Sequence, residues 1–72
     1  MVNKEIALDT EEKIWKAATK VFERDGYAGA RMQVIADEAG INKALLHYYF
    51  RKKEKLFGKI FIEKYNKFFS TL

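Results

Sequence analysis

Two short helical patterns, joined by only three residues, constrain this chain more than any other feature. The first pattern covers about residues 32–39, and the second covers residues 42–50 when its N-cap, the last residue of the turn, is included. Between them, Gly40 permits the backbone conformation of a sharp turn, Ile41 returns the chain to the core, and Asn42 is a favourable helix N-cap. The spacing therefore predicts two helices held at a fixed angle.

The residues around this turn suit close packing of the two helices. Ala36 is small, so the second helix can cross closely over the preceding one. A rigid pair of this kind is typical of the helix-turn-helix, whose second helix enters the DNA major groove, about 12 Å wide. The alternative is an ordinary three-helix bundle with a tight turn. The side chains expected to point inward are Ile35, Ala39, Ile41, Leu46 and Tyr49.

Helical periodicity predicts a further helix before this pair, over residues 10–25. Asp9 or Thr10 is its predicted N-cap, and an acidic first turn favours the positive end of the helix dipole. Gly26 is expected to stop the helix in a left-handed conformation, which places Tyr27 against the last turn at Phe22.

A fourth helix is predicted from about Lys53 to the end of the chain. Aromatic residues make up 15% of the 72 residues, and many lie in this helix as a broad apolar band. Three short helices can cover its beginning, at Leu56 and Ile60, but not its end. We expect Tyr65, Phe68, Phe69 and Leu72 to form an exposed interface.

The predicted fold class is therefore all-α: a three-helix helix-turn-helix (homeodomain-like) domain plus the start of a long fourth helix. We assign residues 1–9 to an N-terminal arm, 10–52 to the helix-turn-helix domain and 53–72 to a linking helix. The predicted core consists of Ile14, Ala18, Val21, Phe22, Ile35, Ala36, Ile41, Leu46 and Phe50.

Charge is distributed unevenly along the chain. Residues 1–42 carry six basic and eight acidic side chains, a net charge of −2, whereas residues 43–72 carry eight basic and two acidic ones, a net charge of +6. A basic half on a small domain suits a polyanion such as nucleic acid. The alternative is that residues 51–55 are simply a solvated helix start.

Several classes of protein are excluded by the residues that the chain lacks. It has no cysteine and one histidine, so disulfide scaffolds, thiolate zinc sites and cysteine nucleophiles are excluded. We also find no acid pair with metal-ligand spacing and no glycine-rich phosphate loop, and therefore expect no enzyme activity, no cofactor and no metal. The sequence shows no signal peptide or membrane span, and a reducing cytoplasm fits it.

Three signatures occur in order along the chain: Gly26-Tyr27, then residues 35–43, then residues 46–57. Together they resemble the N-terminal DNA-binding domain of TetR-family transcriptional regulators, over roughly residues 11–57. The resemblance implies a homodimer that places its third helix in successive major grooves of a palindromic double-stranded operator. It also implies a ligand-released repressor, with a C-terminal helical domain, absent from this chain, that binds a small-molecule inducer.

A helical wheel of the third helix separates a reading arc from an inner arc. The reading arc holds Lys43, Ala44, His47 and Tyr48, and the inner arc holds Leu45, Leu46, Tyr49 and Phe50. Lysine and histidine can hydrogen-bond a base edge or a phosphate, and an alanine can contact a thymine methyl. The alternatives to DNA contact are a lysine that is simply solvated and a histidine that is simply exposed.

The resemblance extends the set of DNA-contact candidates beyond that arc. It implies phosphate contacts for Tyr48, Tyr49 and Lys53 and a base-facing place for Gln33, although core packing is the alternative for Tyr49. Arg31 stands where the family usually has a capping Thr or Ser, and Leu45 stands where it often has Thr or Ser. The complete candidate set is Arg31, Gln33, Lys43, Ala44, Leu45, His47, Tyr48, Tyr49 and Lys53.

Two other functions compete with DNA binding. The aromatic face of the fourth helix suits a protein-interaction module, whose affinity would be nearly indifferent to salt. The same helix could lie on an anionic membrane through the lysines of its polar face. DNA binding differs from docking by an affinity that falls steeply with salt. The polar-face lysines are Lys55, Lys59, Lys64 and Lys67.

Overall fold

The computed structural model describes the backbone of residues 4–70 and the side chains of residues 9–64 and 66. Over that range the chain forms four α-helices and no strand, which confirms the all-α fold class. The helices are α1 (Lys4–Gly29), α2 (Met32–Ala39), α3 (Lys43–Tyr49) and α4 (Lys53–Ser70).

Helix α1 begins earlier than its sequence pattern indicates. The predicted N-cap, Asp9 or Thr10, was wrong, because the helix already includes Lys4 and so takes in residues 4–9 of the predicted arm. The Asp9 carboxylate instead lies 3.6 Å from the Lys13 ammonium, one turn along the helix. An acidic residue can cap the N-terminus of a helix, and it can also stabilise a helix by pairing with a lysine four positions later. The local pattern fitted both roles and was therefore ambiguous.

Gly26 bends α1 rather than ending it. Its φ of 75° is positive, as predicted, but its ψ of 168° is extended, and the helix resumes for one turn to Gly29. The Ala30 N–H then donates to the Gly26 carbonyl at 3.0 Å. The bend brings the Tyr27 ring onto Phe22, with ring centroids 6.1 Å apart, which confirms the predicted contact.

The turn between α2 and α3 has the predicted geometry. Gly40 is left-handed, with φ 74° and ψ 29°. Its N–H donates to the Asp37 carbonyl at 3.1 Å, while the Ile41 N–H donates to the Ala36 carbonyl at 3.0 Å. These two bonds form a Schellman motif, which satisfies the last carbonyls of α2. Asn42 caps α3, since its Oδ1 accepts the Leu45 N–H at 2.7 Å.

The core lies where α1 crosses α2 and α4, and it contains most of the predicted residues. Ile41 and Phe50 are only partly buried and pack against it, because each lies at the end of a turn rather than within a helix. Leu56 and Ile60 of α4 are buried, as expected for the covered start of that helix. The buried set is Ile14, Ala17, Ala18, Val21, Phe22, Ala30, Ile35, Ala36, Leu46, Leu56 and Ile60.

Helix α4 is tied to α1 by a polar rim as well as by the core. Lys59 lies 3.7 Å from the Glu11 carboxylate, and Lys64 lies 2.9 Å from that of Glu23. Away from this seam, Phe61 and Ile62 are 60% and 59% exposed.

The prediction that Tyr65, Phe68, Phe69 and Leu72 are exposed concerns residues outside the described side chains. Across residues 4–70, no helix combines the length and apolar character that crossing a bilayer requires.

Two glycine-to-alanine substitutions should have opposite effects on stability. Gly40→Ala should lower the free energy of unfolding by about 1 kcal/mol, because its positive φ strains any residue with a Cβ. Gly58→Ala should raise it by about 0.5–1 kcal/mol, because Gly58 is helical and nothing lies within 4 Å of the added Cβ. Urea denaturation followed by circular dichroism measures both changes. A destabilising Gly58→Ala would contradict this assignment of α4.

Candidate nucleic-acid interface

Helix α3 presents one face to solvent. Lys43, Ala44, His47 and Tyr48 are all exposed, and Tyr48 retains 80% of its accessible surface. Leu46 is the buried residue of this helix and anchors it against the core. The structure thus brings the four residues of the predicted reading arc together on an accessible surface.

Leu45 does not lie on the inner arc to which the wheel assigned it. Its side chain is 36% exposed, whereas that of Leu46 is completely buried. The helix has only seven residues, and its packing surface is narrower than a wheel suggests. Leu45 therefore borders the reading face, which is compatible with its place in the candidate set.

The two adjacent tyrosines have different environments. Their rings meet edge to face, with centroids 5.3 Å apart. Tyr48 projects into solvent, while Tyr49 is half-buried and packs against the core. The Tyr49 ring thus packs against the core and supports the exposed Tyr48 ring beside it, while the side chain stays partly accessible.

The start of α2 lacks a side-chain cap. Arg31 has an extended backbone and makes no capping hydrogen bond, and its side chain is exposed. Gln33, one residue into the helix, is also exposed, but its Nε2 donates to the Asp37 carboxylate at 2.9 Å. Arg31 is accordingly open to an external anion, whereas Gln33 must release Asp37 before its amide nitrogen can donate elsewhere.

Lys53 is engaged within the protein. Its ammonium donates to the carbonyls of Tyr27 at 2.7 Å and of Ala30 at 3.1 Å, and it lies 4.5 Å from the centroid of the Tyr27 ring. Desolvation of the Tyr27 hydroxyl raises its pKa, and the negative charge of Glu54 raises that pKa further. The hydroxyl therefore stays protonated and the ring uncharged. These bonds leave one of the three N–H groups of the ammonium for a further acceptor.

A cluster of ion pairs that the sequence did not indicate joins α1 to α2. The Arg24 guanidinium lies 3.1 Å from the Asp25 carboxylate and 3.2 Å from that of Glu38. The hydrogen bond from Arg24 lowers the pKa of Asp25, so the pair stays ionised at neutral pH. Arg24 and Glu38 are 14 positions apart, so no local pattern could have indicated the contact.

Three exposed cations at the corner between α3 and α4 were not among the predicted contacts. Arg51, Lys52 and Lys55 make no ion pair in the part of the chain that the structure describes. Their signal in the sequence was the net charge of +6 over residues 43–72, but a solvated helix start explained it equally well.

Among the described residues, no group of three acidic or histidine side chains could hold a metal ion.

Comparison with known proteins identifies the family. The profile described as "Bacterial regulatory proteins, tetR family" matches residues 14–60, well over half of the chain. The chain belongs to the TetR family. The match confirms the resemblance carried by the three sequence signatures, and it extends from the first buried turn of α1 to the covered start of α4.

Curated proteins and a solved structure agree with this assignment. The TetR-family chain is 41% identical to the HTH-type transcriptional repressor NicS of Pseudomonas putida, over 82% of this chain and 28% of that protein. It is 42% identical to the HTH-type transcriptional repressor SCO4008 of Streptomyces coelicolor, over 76% of this chain and 29% of that protein. A crystal structure of a mutant HlyIIR protein matches with a TM-score of 0.76 at 44% identity, covering 79% of this chain and 31% of that one.

The TetR-family chain is thus the helix-turn-helix DNA-binding domain of a bacterial transcriptional regulator. The family is one of regulators and not of enzymes, in agreement with the prediction from the sequence. The chain spans about three-tenths of the length of the relatives that it matches.

Replacing Lys53 by alanine should destabilise this TetR-family domain by about 1–2 kcal/mol, because two carbonyl oxygens lose a charged donor. Urea denaturation gives the change in free energy. Lys52→Ala is the matched control, since it removes the same charge from an exposed neighbour whose side chain makes no hydrogen bond within the described residues. Equal stability of the two variants would show that the carbonyl bonds of Lys53 contribute nothing.

Proposed function

We propose that the complete protein is a sequence-specific transcriptional repressor that reads its operator through α3 and is released from it by a small molecule. The observation that carries this proposal is the exposed face of α3, held by the buried Leu46 and by a Schellman turn. A rigid, accessible helix of this kind fits the major groove.

On that face, polar and apolar side chains have separate roles. Lys43 and His47 donate to base edges, and the Ala44 methyl group allows close approach and contact with a thymine methyl. Tyr48 and Tyr49 donate their hydroxyls to phosphates on the border of the groove. Leu45 supplies apolar contact beside the reading face, and its 36% exposure makes it accessible for this role.

Phosphates on the other border of the groove are held from α2 and α4. Arg31 pairs with a phosphate at the start of α2, and Gln33 turns from Asp37 toward the bases. Lys53 donates its remaining N–H to a phosphate, so Lys53→Ala should also weaken binding to all duplexes alike and flatten the salt slope by about one unit. Such contacts set affinity and register, whereas α3 sets sequence preference.

The complete protein acts as a homodimer on a palindromic operator in the bacterial cytoplasm. A C-terminal domain binds the inducer and covers the exposed apolar side of α4 at Phe61 and Ile62. Two facts support this: the relatives are more than three times as long as the matched stretch, and two of them are named repressors.

Selection of binding sites from a pool of random duplexes tests the proposal. We expect enrichment of a palindrome whose half-sites are separated by about one helical turn, ~10 base pairs, or a multiple of it. Affinity for the enriched site should fall steeply as salt is raised. No enrichment, or an affinity indifferent to salt, would favour the protein-interaction module, and binding to anionic vesicles alone would favour the membrane-surface helix.

A further inference from the structure

We propose that the DNA-binding domain carries a ligand site of its own, a pocket between α1 and α4 that binds a small aromatic ammonium ion. The pocket has a volume of about 200 Å³. None of its lining residues belongs to the reading face, and the site is additional to the inducer-binding domain of the proposed function. The lining residues are Glu11, Glu12, Trp15, Phe50, Lys59 and Glu63.

The size and the aromatic walls of the pocket suit a single ring. An apolar cavity of about 150 Å³ is large enough to bind benzene. The two aromatic walls come from different elements, Trp15 from α1 and Phe50 from the corner between α3 and α4. Both side chains are partly buried and pack against the core, so their rings are held in place. A flat apolar ligand can therefore bury its surface against rings that are already positioned.

The other walls of the pocket are acidic. Three carboxylates and one ammonium group line it, so the lining has a net charge of −2 although the whole chain has a net charge of +4. Glu12 lies 3.3 Å from the Lys16 ammonium. Glu63 makes no ion pair within the described residues. Excess negative charge beside aromatic rings favours an organic cation over a neutral or anionic ligand of the same shape.

Lys59 shows which chemistry the pocket accepts. Its ammonium lies 5.4 Å from the centroid of the Phe50 ring and 3.7 Å from the Glu11 carboxylate. A cation within about 6 Å of a ring centroid is attracted by the negative face of the ring. A ligand ammonium finds the same kinds of partner in this pocket, a ring face and a carboxylate. Glu63 is the carboxylate that exchanges no ion pair of the described residues to take it.

The indole of Trp15 gives a second and independent observation. Its Nε1 is shielded from solvent and has no hydrogen-bond partner within the part of the chain that the structure describes. A buried donor without an acceptor destabilises a fold, and such groups are rare in native proteins. The residues around the pocket therefore leave one donor unsatisfied. A ligand that carries an oxygen acceptor as well as its ammonium group can satisfy it.

The test is a titration of the complete protein, without DNA, by three probes that share one phenol ring. The probes are the cation tyramine, its neutral alcohol tyrosol and the anion para-hydroxyphenylacetate, at constant ionic strength. The reporter is the indole N–H resonance of Trp15, assigned by its loss in Trp15→Phe. We expect tyramine to shift this resonance downfield and to bind about tenfold more tightly than tyrosol, and we expect the anion to cause no shift.

A double variant tests the acidic walls. In Glu12→Gln with Glu63→Gln, affinity for tyramine should fall about tenfold and affinity for tyrosol should stay unchanged. The matched control is Asp37→Asn with Glu54→Gln, which removes the same charge from exposed side chains outside the pocket. Its affinity for tyramine should stay within about twofold of the parent protein, because salt screens distant charges.

Three results would overturn the assignment of this pocket. Equal affinity for tyramine and tyrosol would leave only an apolar pocket, and equal losses in the two double variants would reduce the effect to net charge. Binding of tyramine that leaves the Trp15 resonance unmoved would place the ligand elsewhere in the protein.

A thermal melt provides a second measurement and checks that the variants fold. Saturating tyramine should raise the melting temperature of the parent protein more than that of the Glu12 and Glu63 double variant, because a ligand stabilises the state that binds it. An equal rise in both would contradict the proposed role of the two carboxylates. DNA is absent from every measurement, so the outcome does not depend on whether α3 reads an operator.

Discussion

Leu46→Ala should remove most of the stability of the domain and, with it, binding to every DNA sequence. Leu46 is fully buried and is the residue that anchors α3 to the core. Truncating a buried leucine to alanine costs about 2–5 kcal/mol, and a domain of this size has little more to lose. Urea denaturation and titration of a duplex measure the two effects.

The neighbouring residue provides the control for that experiment. Leu45→Ala removes the same atoms from a side chain that is 36% exposed, so it should cost less than about 1 kcal/mol. The two variants therefore separate burial from the loss of a leucine as such. Equal destabilisation by both would mean that α3 packs through a different face.

Lys43→Ala and His47→Ala should change which base is preferred, at a cost of about 1–3 kcal/mol for each contact with a base edge. That range corresponds to about 5- to 150-fold in affinity for the selected site. Both side chains are exposed on α3, so neither change should affect folding. Binding to single-base variants of the selected site measures the change in preference.

The α3 variants have two controls, which are binding to random-sequence DNA and the substitution of a lysine distant from α3. Lys20→Ala removes an exposed positive charge from α1 and should leave the ratio of selected to random affinity unchanged. If the α3 variants lose equal affinity on selected and random duplexes, Lys43 and His47 contact phosphates only. In that case sequence preference would have to arise from Ala44, Leu45 or the shape of the DNA.

Local sequence was sufficient for the turn because every interaction in it spans only a few residues. Gly40 supplies the left-handed backbone, and the Asn42 side chain accepts an N–H three residues ahead. The same reasoning failed at Asp9, where an N-cap and an ion pair with Lys13 produce nearly the same pattern. It failed in part at Gly26, where a positive φ produced a bend instead of an end.

The sequence by itself determined the all-α class, the tight turn, most of the core and the family, because these depend on local spacing and on residue types. Only the tertiary structure decided which charged side chains find a partner within the protein. Lys53 lies 26 and 23 positions from the carbonyls that its ammonium contacts. Lys64 lies 41 positions from its carboxylate partner. Spacing along a helix cannot show which cations find such partners, and only folding leaves Arg51, Lys52 and Lys55 without an ion pair within the described residues.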